Sequence, residues 1–187
     1  MECTKKRMTI PNLISIFRLA LIPIFVVTYF LEFENHYLFA ILIVAVSGLS
    51  DIADGFIARR FHMISDLGKI LDPAADKLTQ ATVLICLSVS HPVLIPLVIL
   101  LFIKEICQTI GAILLLKKSN VKQPPAARWW GKASTVILFL TMILTVVSDI
   151  YPAFPAAISI FMLVLSLIAL AFAFAGYYVK IYRALKK

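Results

Sequence analysis

Four aspartates, Asp51, Asp54, Asp72 and Asp76, are the residues in this chain whose type and spacing could do chemistry. On helices Asp51 and Asp54 are i,i+3 and Asp72 and Asp76 are i,i+4, so each pair projects from one helix face. They fall in the stretch from Ser50 to Gln80, which holds five of the ten acidic residues of a 187-residue chain that is 61% hydrophobic. A carboxylate at membrane depth costs roughly 2.5 to 3.5 kcal/mol on insertion scales, so four of them need something to neutralise them. Paired hard oxygen ligands suit Mg²⁺ or Mn²⁺, and two such ions sharing carboxylates suit phosphoryl transfer. The plainer alternative is pairing with nearby Arg59, Arg60, Lys69 and Lys77. Solvated salt bridges, however, would not require both acid pairs to keep matching faces.

The full pattern is Asp51-x-x-Asp54-Gly55-x-x-Ala58-Arg59, eight residues, then Gly68-x-x-x-Asp72-x-x-x-Asp76. Glycine inside a helix costs about 1 kcal/mol against alanine, so Gly55 and Gly68 need a reason; close approach of a nucleotide is one and helix packing is the other. Arg59 can fork onto a phosphate in a bidentate way that a lysine matches less well. This pattern resembles the signature of the CDP-alcohol phosphotransferases, with every fixed position present at that family's spacing. The resemblance implies an integral membrane enzyme that moves a phosphate-linked alcohol from a CDP-activated donor to a second alcohol and releases CMP. It implies that Asp51, Asp54 and Asp72 ligate two Mg²⁺ or Mn²⁺ ions. Asp76 is implied as the base for the acceptor hydroxyl, a metal ligand, or both. Gly55, Ala58, Arg59 and Gly68 are implied as the wall of the CDP site, and the assembly as a homodimer.

The elements that must position these residues are helices in a membrane. A mean hydropathy of +0.98 is too apolar for a soluble domain and points to an all-α, polytopic membrane protein. Apolar runs predict six spans, at about 13–31, 38–60, 68–90, 93–116, 133–148 and 156–178, forming one membrane domain over 13–187 behind a basic arm at 1–12. The first run is long, contains Arg18 and lacks a small-x-small cleavage site, so it is expected to stay as a membrane helix and not to be removed as a signal peptide. Asn12 is the expected N-cap of that helix, and Arg18 either snorkels or points into a polar cavity. Pro73, directly after Asp72, belongs to a first helical turn or opens a kink. Asp66 is expected to be solvated or to cap.

Net charge is +8, yet the cations cluster at the ends of apolar runs with no basic surface interleaved with aromatics, which disfavours nucleic acid and favours membrane lipids as partners. Lys and Arg concentrate in the amino arm, the turn after the second span, the loop KKSNVKQPPAARWWGK and the tail. By the positive-inside rule both termini and the aspartate cavity face the cytoplasm, with Trp129-Trp130 at the membrane interface. Cys3, Cys86 and Cys107 have no disulfide or zinc spacing, and His91 reads as interfacial, without a second ligand at metal spacing.

Within the family, the segment Pro11-Asn12-x-x-Ser15-x-x-Arg18 and the later Gly131-Lys132-x-x-Thr135 resemble the bacterial phosphatidylglycerophosphate synthases, with Ser15 where Thr is usual. That resemblance implies CDP-diacylglycerol as donor and sn-glycerol 3-phosphate as acceptor; phosphatidylglycerol, the acceptor of the related cardiolipin synthases, is the alternative, and the inositol phosphate and serine acceptors of other CDP-alcohol phosphotransferases follow. Cations outside the motif are then expected to hold the acceptor phosphate: Lys104, Arg128 and Lys132. Glu105 is an unfavourable partner for Lys104, because adjacent helical residues point about 100° apart. The resembled enzymes usually carry Arg-Glu where this chain has Lys104-Glu105. A carrier or channel would also place acids in membrane helices, but here the acids sit at one end of the bundle and the last two spans carry none. A catalytically dead scaffold fits poorly with an intact signature.

Overall fold

The computed structural model describes residues 10–31, 33–61, 68–118, 129–151 and 153–185. Among them all regular structure is helical: α1 (Ile10–Phe30), α2 (His36–Phe61), α3 (Gly68–Ser90), α4 (Ile95–Lys118), α5 (Trp129–Ile150) and α6 (Ala156–Leu185), with a 3-10 turn at Pro92–Leu94 leading into α4. Asp66 and the amino arm to residue 9 lie outside the described residues.

Each helix lies where an apolar run predicts one, and most extend beyond it. Hydropathy marks the lipid-facing length, whereas the backbone keeps its own hydrogen bonds past the apolar boundary. Thus α1 starts at Ile10, which places Asn12 inside the first turn and not at the cap, with 2% of its surface exposed. Similarly, α5 starts at Trp129, so Lys132 stands on its first turn and not in the preceding loop. Pro73 lies within α3 near its start.

Among the described residues four stretches are long and apolar enough to cross a membrane: Asn12–Phe30, Pro92–Gly111, Trp130–Ile150 and Ala156–Val179. In α2 the apolar part is the shorter His36–Ser50, after which the Asp51/Asp54 motif begins; α3 opens with Asp72, Asp76 and Lys77. The two helices that carry the acids are therefore the least apolar, and they share one six-residue connection. Large exposed side chains such as Phe17, Val27, Ile99, Ile106, Phe161 and Phe172 stand around the bundle, as expected of a multi-pass membrane protein.

Packing places α1 against α2 and α3, α3 against α4 and α5, α2 against α5, and α6 against α4 and α5. The core is aliphatic, with Val44, Leu84, Leu87, Leu97, Leu138 and Val146 almost fully buried. The α1–α2 turn is closed by Asn35 at φ 63°, a left-handed conformation asparagine accepts more readily than most residues. Polar contacts tie α5 to α6: Thr141 and Ser166 hydroxyls lie 2.6 Å apart, and Thr141 also donates to the Met162 carbonyl at 3.2 Å. Trp130 is half-buried and packs edge-on against Phe172 of α6 at 5.7 Å between ring centroids. A methyl at Gly48 would meet the Phe139 ring at 3.7 Å, so this small residue serves contact between α2 and α5 within the chain, whereas the buried Ser47 faces α1 and α3.

Candidate active site

The aspartate-bearing end of the bundle is built where α2 ends and α3 begins. Residues Asp51, Asp54, Gly55, Ala58 and Arg59 lie on the last turns of α2 and Gly68 is the first residue of α3. Their side chains, and the whole of Arg128, lie outside the described residues. Asp72 and Asp76 are described: both are half-buried, one helical turn apart on α3. Each accepts a hydrogen bond from a neutral donor. The buried Ser15 hydroxyl of α1 donates to Asp72 Oδ1, and the Gln80 amide donates to Asp76 Oδ1 at 2.9 Å.

Those contacts orient the two acids. Hydroxyl and amide donors orient a carboxylate without themselves neutralising it, and oxygen donors in a pair match Mg²⁺ or Mn²⁺. Among the described side chains no three His, Cys, Asp or Glu come together; Asp51 and Asp54 are outside that set. Asp72 and Asp76 thus fit a divalent ion by chemistry. Lys77, a possible salt-bridge partner for the acids by sequence, is turned elsewhere: its Nζ lies 2.7 Å from Glu105 Oε2 on α4.

Lys104 is 7% exposed, so it does not snorkel, and its Nζ donates to Glu105 Oε1 at 3.0 Å. This corrects the expectation that adjacency makes Glu105 an unfavourable partner. The Cα–Cβ vectors diverge, but the long lysine stem bends back far enough for its tip to meet the neighbouring carboxylate. Glu105 thereby bridges a buried lysine and Lys77, the residue after Asp76, and with Lys77 and Gln80 it lines a cleft of about 150 Å³ between α3 and α4. Lys132, by contrast, is exposed on α5.

Arg18 is 1% exposed, which excludes snorkelling to water; with Ser47, Thr79 and Thr82 it borders a void of about 10 Å³ inside the bundle. At the opposite end, His91 Nε2 and Asp149 Oδ1 are 2.8 Å apart, joining the α3–α4 turn to the end of α5. His91 is a structural clasp there. Sequence reasoning missed Ser15 and Gln80 as site residues. The Gln80 contact was legible, since Gln and Asp at i,i+4 pair on a helix, whereas the Ser15 contact crosses 57 positions.

Comparison with known proteins adds to this geometry. The family profile described as CDP-alcohol phosphatidyltransferase matches residues 8–177. A protein named CDP-diacylglycerol–glycerol-3-phosphate 3-phosphatidyltransferase from Aquifex aeolicus is 35% identical over 146 residues, covering 77% of this chain and 79% of the relative. One of the same name from Haemophilus influenzae is 31% identical over 140 residues, covering 73% and 74%. A cardiolipin synthase (CMP-forming) from Streptomyces coelicolor is 35% identical over 153 residues, covering 78% and 68%. The match takes in all six helices through most of α6 and the whole aspartate pattern, and the chain belongs to the CDP-alcohol phosphatidyltransferase family.

Proposed function

We propose that the protein transfers the phosphatidyl group of CDP-diacylglycerol to sn-glycerol 3-phosphate, giving phosphatidylglycerophosphate and CMP. The observation that carries this reading is the α3–α4 arrangement: a carboxylate pair oriented by neutral donors, beside a buried lysine whose partner Glu105 is tied to the residue after Asp76. Two lysines and one glutamate leave that triad with one positive charge, suited to an acceptor that brings its own phosphate. The names of the Aquifex and Haemophilus relatives support the same donor and acceptor.

In this mechanism Asp51, Asp54, Asp72 and Asp76 hold Mg²⁺ or Mn²⁺. Two such ions supply charge neutralisation of the donor pyrophosphate and make CMP a tolerable leaving group. Gly55, Ala58, Arg59 and Gly68 seat the CDP moiety, with Arg59 forked onto a phosphate oxygen. Asp76 takes the proton of the acceptor hydroxyl as its oxygen bonds to the phosphorus that bears diacylglycerol; the bond from that phosphorus to CMP breaks, and the electron pair leaves with CMP. Gln80, bonded to one oxygen of Asp76, orients the carboxylate for that proton transfer. Lys104, with Lys132 and Arg128, holds the acceptor phosphate.

The assembly is a six-span domain with both termini and the site on the cytoplasmic side, supported by the distribution of Lys and Arg. It is a homodimer, a reading that rests on the family resemblance alone. The Streptomyces relative keeps a second acceptor in play, phosphatidylglycerol. Purified protein with CDP-diacylglycerol and Mg²⁺, offered glycerol 3-phosphate, phosphatidylglycerol, inositol phosphate and serine in parallel, should release CMP fastest with glycerol 3-phosphate. Faster release with phosphatidylglycerol would replace this reading by cardiolipin synthesis.

A further inference from the structure

Ser15 stands on α1, far in sequence from the aspartate motif, yet it is fully buried and its hydroxyl donates to Asp72 Oδ1. It belongs to a polar stripe, Asn12, Ser15 and Arg18, whose members recur every three residues and are each 2% or less exposed. Leaving a buried polar group unsatisfied costs about 1–3 kcal/mol, so a stripe of three in an apolar helix requires partners on the helices it packs against. For Ser15 that partner is a carboxylate of the site. Asp72 also needs an external hold. Pro73 follows it inside α3 and has no N–H to give to the carbonyl four residues earlier, so the first turns of α3 have one hydrogen bond fewer to fix the helix there. Donation to Oδ1 occupies one acceptor site of a group that has about four, and leaves Oδ2 and the remaining lone pair for a hard cation.

We propose that Ser15 is the positioning residue of Asp72: it sets the orientation of a metal-binding carboxylate from a neighbouring helix and makes α1 a wall of the metal site. The inference rests on the metal-dependent reading above and extends it to a helix that carries no signature residue. A hydrogen-bonded outer partner of a metal ligand is typically worth about 10- to 100-fold in metal affinity.

The test is Mn²⁺ binding to the purified full-length protein in detergent, read from the electron paramagnetic resonance signal of the free ion with no substrate present. Ser15→Ala should raise the Kd by about 10-fold or more. Ser15→Thr, which keeps the hydroxyl, should retain the wild-type Kd. In an Asp72→Ala background Ser15→Ala should change nothing further. Wild-type affinity in Ser15→Ala, equal loss in Ser15→Thr, or an additional loss in the double variant would each overturn the inference while leaving the metal reading in place. Should Ser15→Ala fail to elute as folded protein, Ser15→Cys, which keeps the volume and weakens the donor, is judged by the same criteria. Absence of Mn²⁺ binding by the wild type would overturn the metal reading and this inference with it.

Discussion

Replacing Lys104 by methionine removes one of the two cations that share Glu105 while nearly preserving volume in a position only 7% exposed. The triad of Lys77, Lys104 and Glu105 then falls from a net charge of +1 to zero. Glu105 is not stranded, because Lys77 remains 2.7 Å from its second oxygen, so the chain should fold. On the proposed acceptor site, what is lost is a hydrogen bond from the buried ammonium to the acceptor phosphate, worth about 1.5–3 kcal/mol for charged groups. In the free enzyme that ammonium already donates to Glu105 at 3.0 Å, so binding partly exchanges one charged acceptor for another, and the lower figure applies. About 1.5 kcal/mol corresponds to roughly a tenfold change in an equilibrium constant. Steady-state CMP release in mixed micelles, with each substrate varied in turn, should therefore show a roughly tenfold rise in KM for glycerol 3-phosphate and little change for CDP-diacylglycerol. Lys104→Arg, which restores the forked donor usual in the resembled enzymes, should stay near the wild type. An unchanged KM for glycerol 3-phosphate in Lys104→Met, or equal rises for both substrates, would refute the assignment.

Asp51→Asn, Asp54→Asn, Asp72→Asn and Asp76→Asn should each lose most turnover and Asp66→Asn should not; EDTA should abolish CMP release and Mg²⁺ or Mn²⁺ should restore it, so full activity in EDTA would end the metal reading. Gln80→Leu removes the donor 2.9 Å from Asp76 Oδ1 and should lower kcat several-fold, on the order of 1 kcal/mol, with the acceptor KM unchanged; a change in KM alone would deny Gln80 its positioning role. Thr141→Val should cost about 0.6–1.7 kcal/mol of stability by breaking the α5–α6 hydroxyl contact, seen as a lower Tm in detergent with normal KM values. An unchanged Tm would mean that aliphatic packing alone holds that helix pair.

The helices and the shared face of Asp72 and Asp76 were legible in the sequence because both are local. A continuous apolar run must be helical where no water can satisfy the backbone, and residues three or four apart on a helix share a face whatever surrounds them. Asp72 and Asp76 on one face, Gln80 within reach of Asp76, and Pro73 near the start of α3 all follow from spacing alone. Helix ends were less legible, because polar and aromatic residues at the boundary tolerate helix and coil alike, so α1 takes in Asn12 and α5 takes in Trp130 and Lys132. What only the tertiary structure decided is where each polar side chain inside the bundle finds its partner. Lys77 could have neutralised the aspartates but pairs with Glu105 on α4. Arg18 could have snorkelled but is enclosed, and Ser15 reaches Asp72 across 57 positions. Spacing sets the face a side chain leaves from. Its partner is set by which helix packs against that face, and that depends on the burial of aliphatic surface over the whole bundle at once.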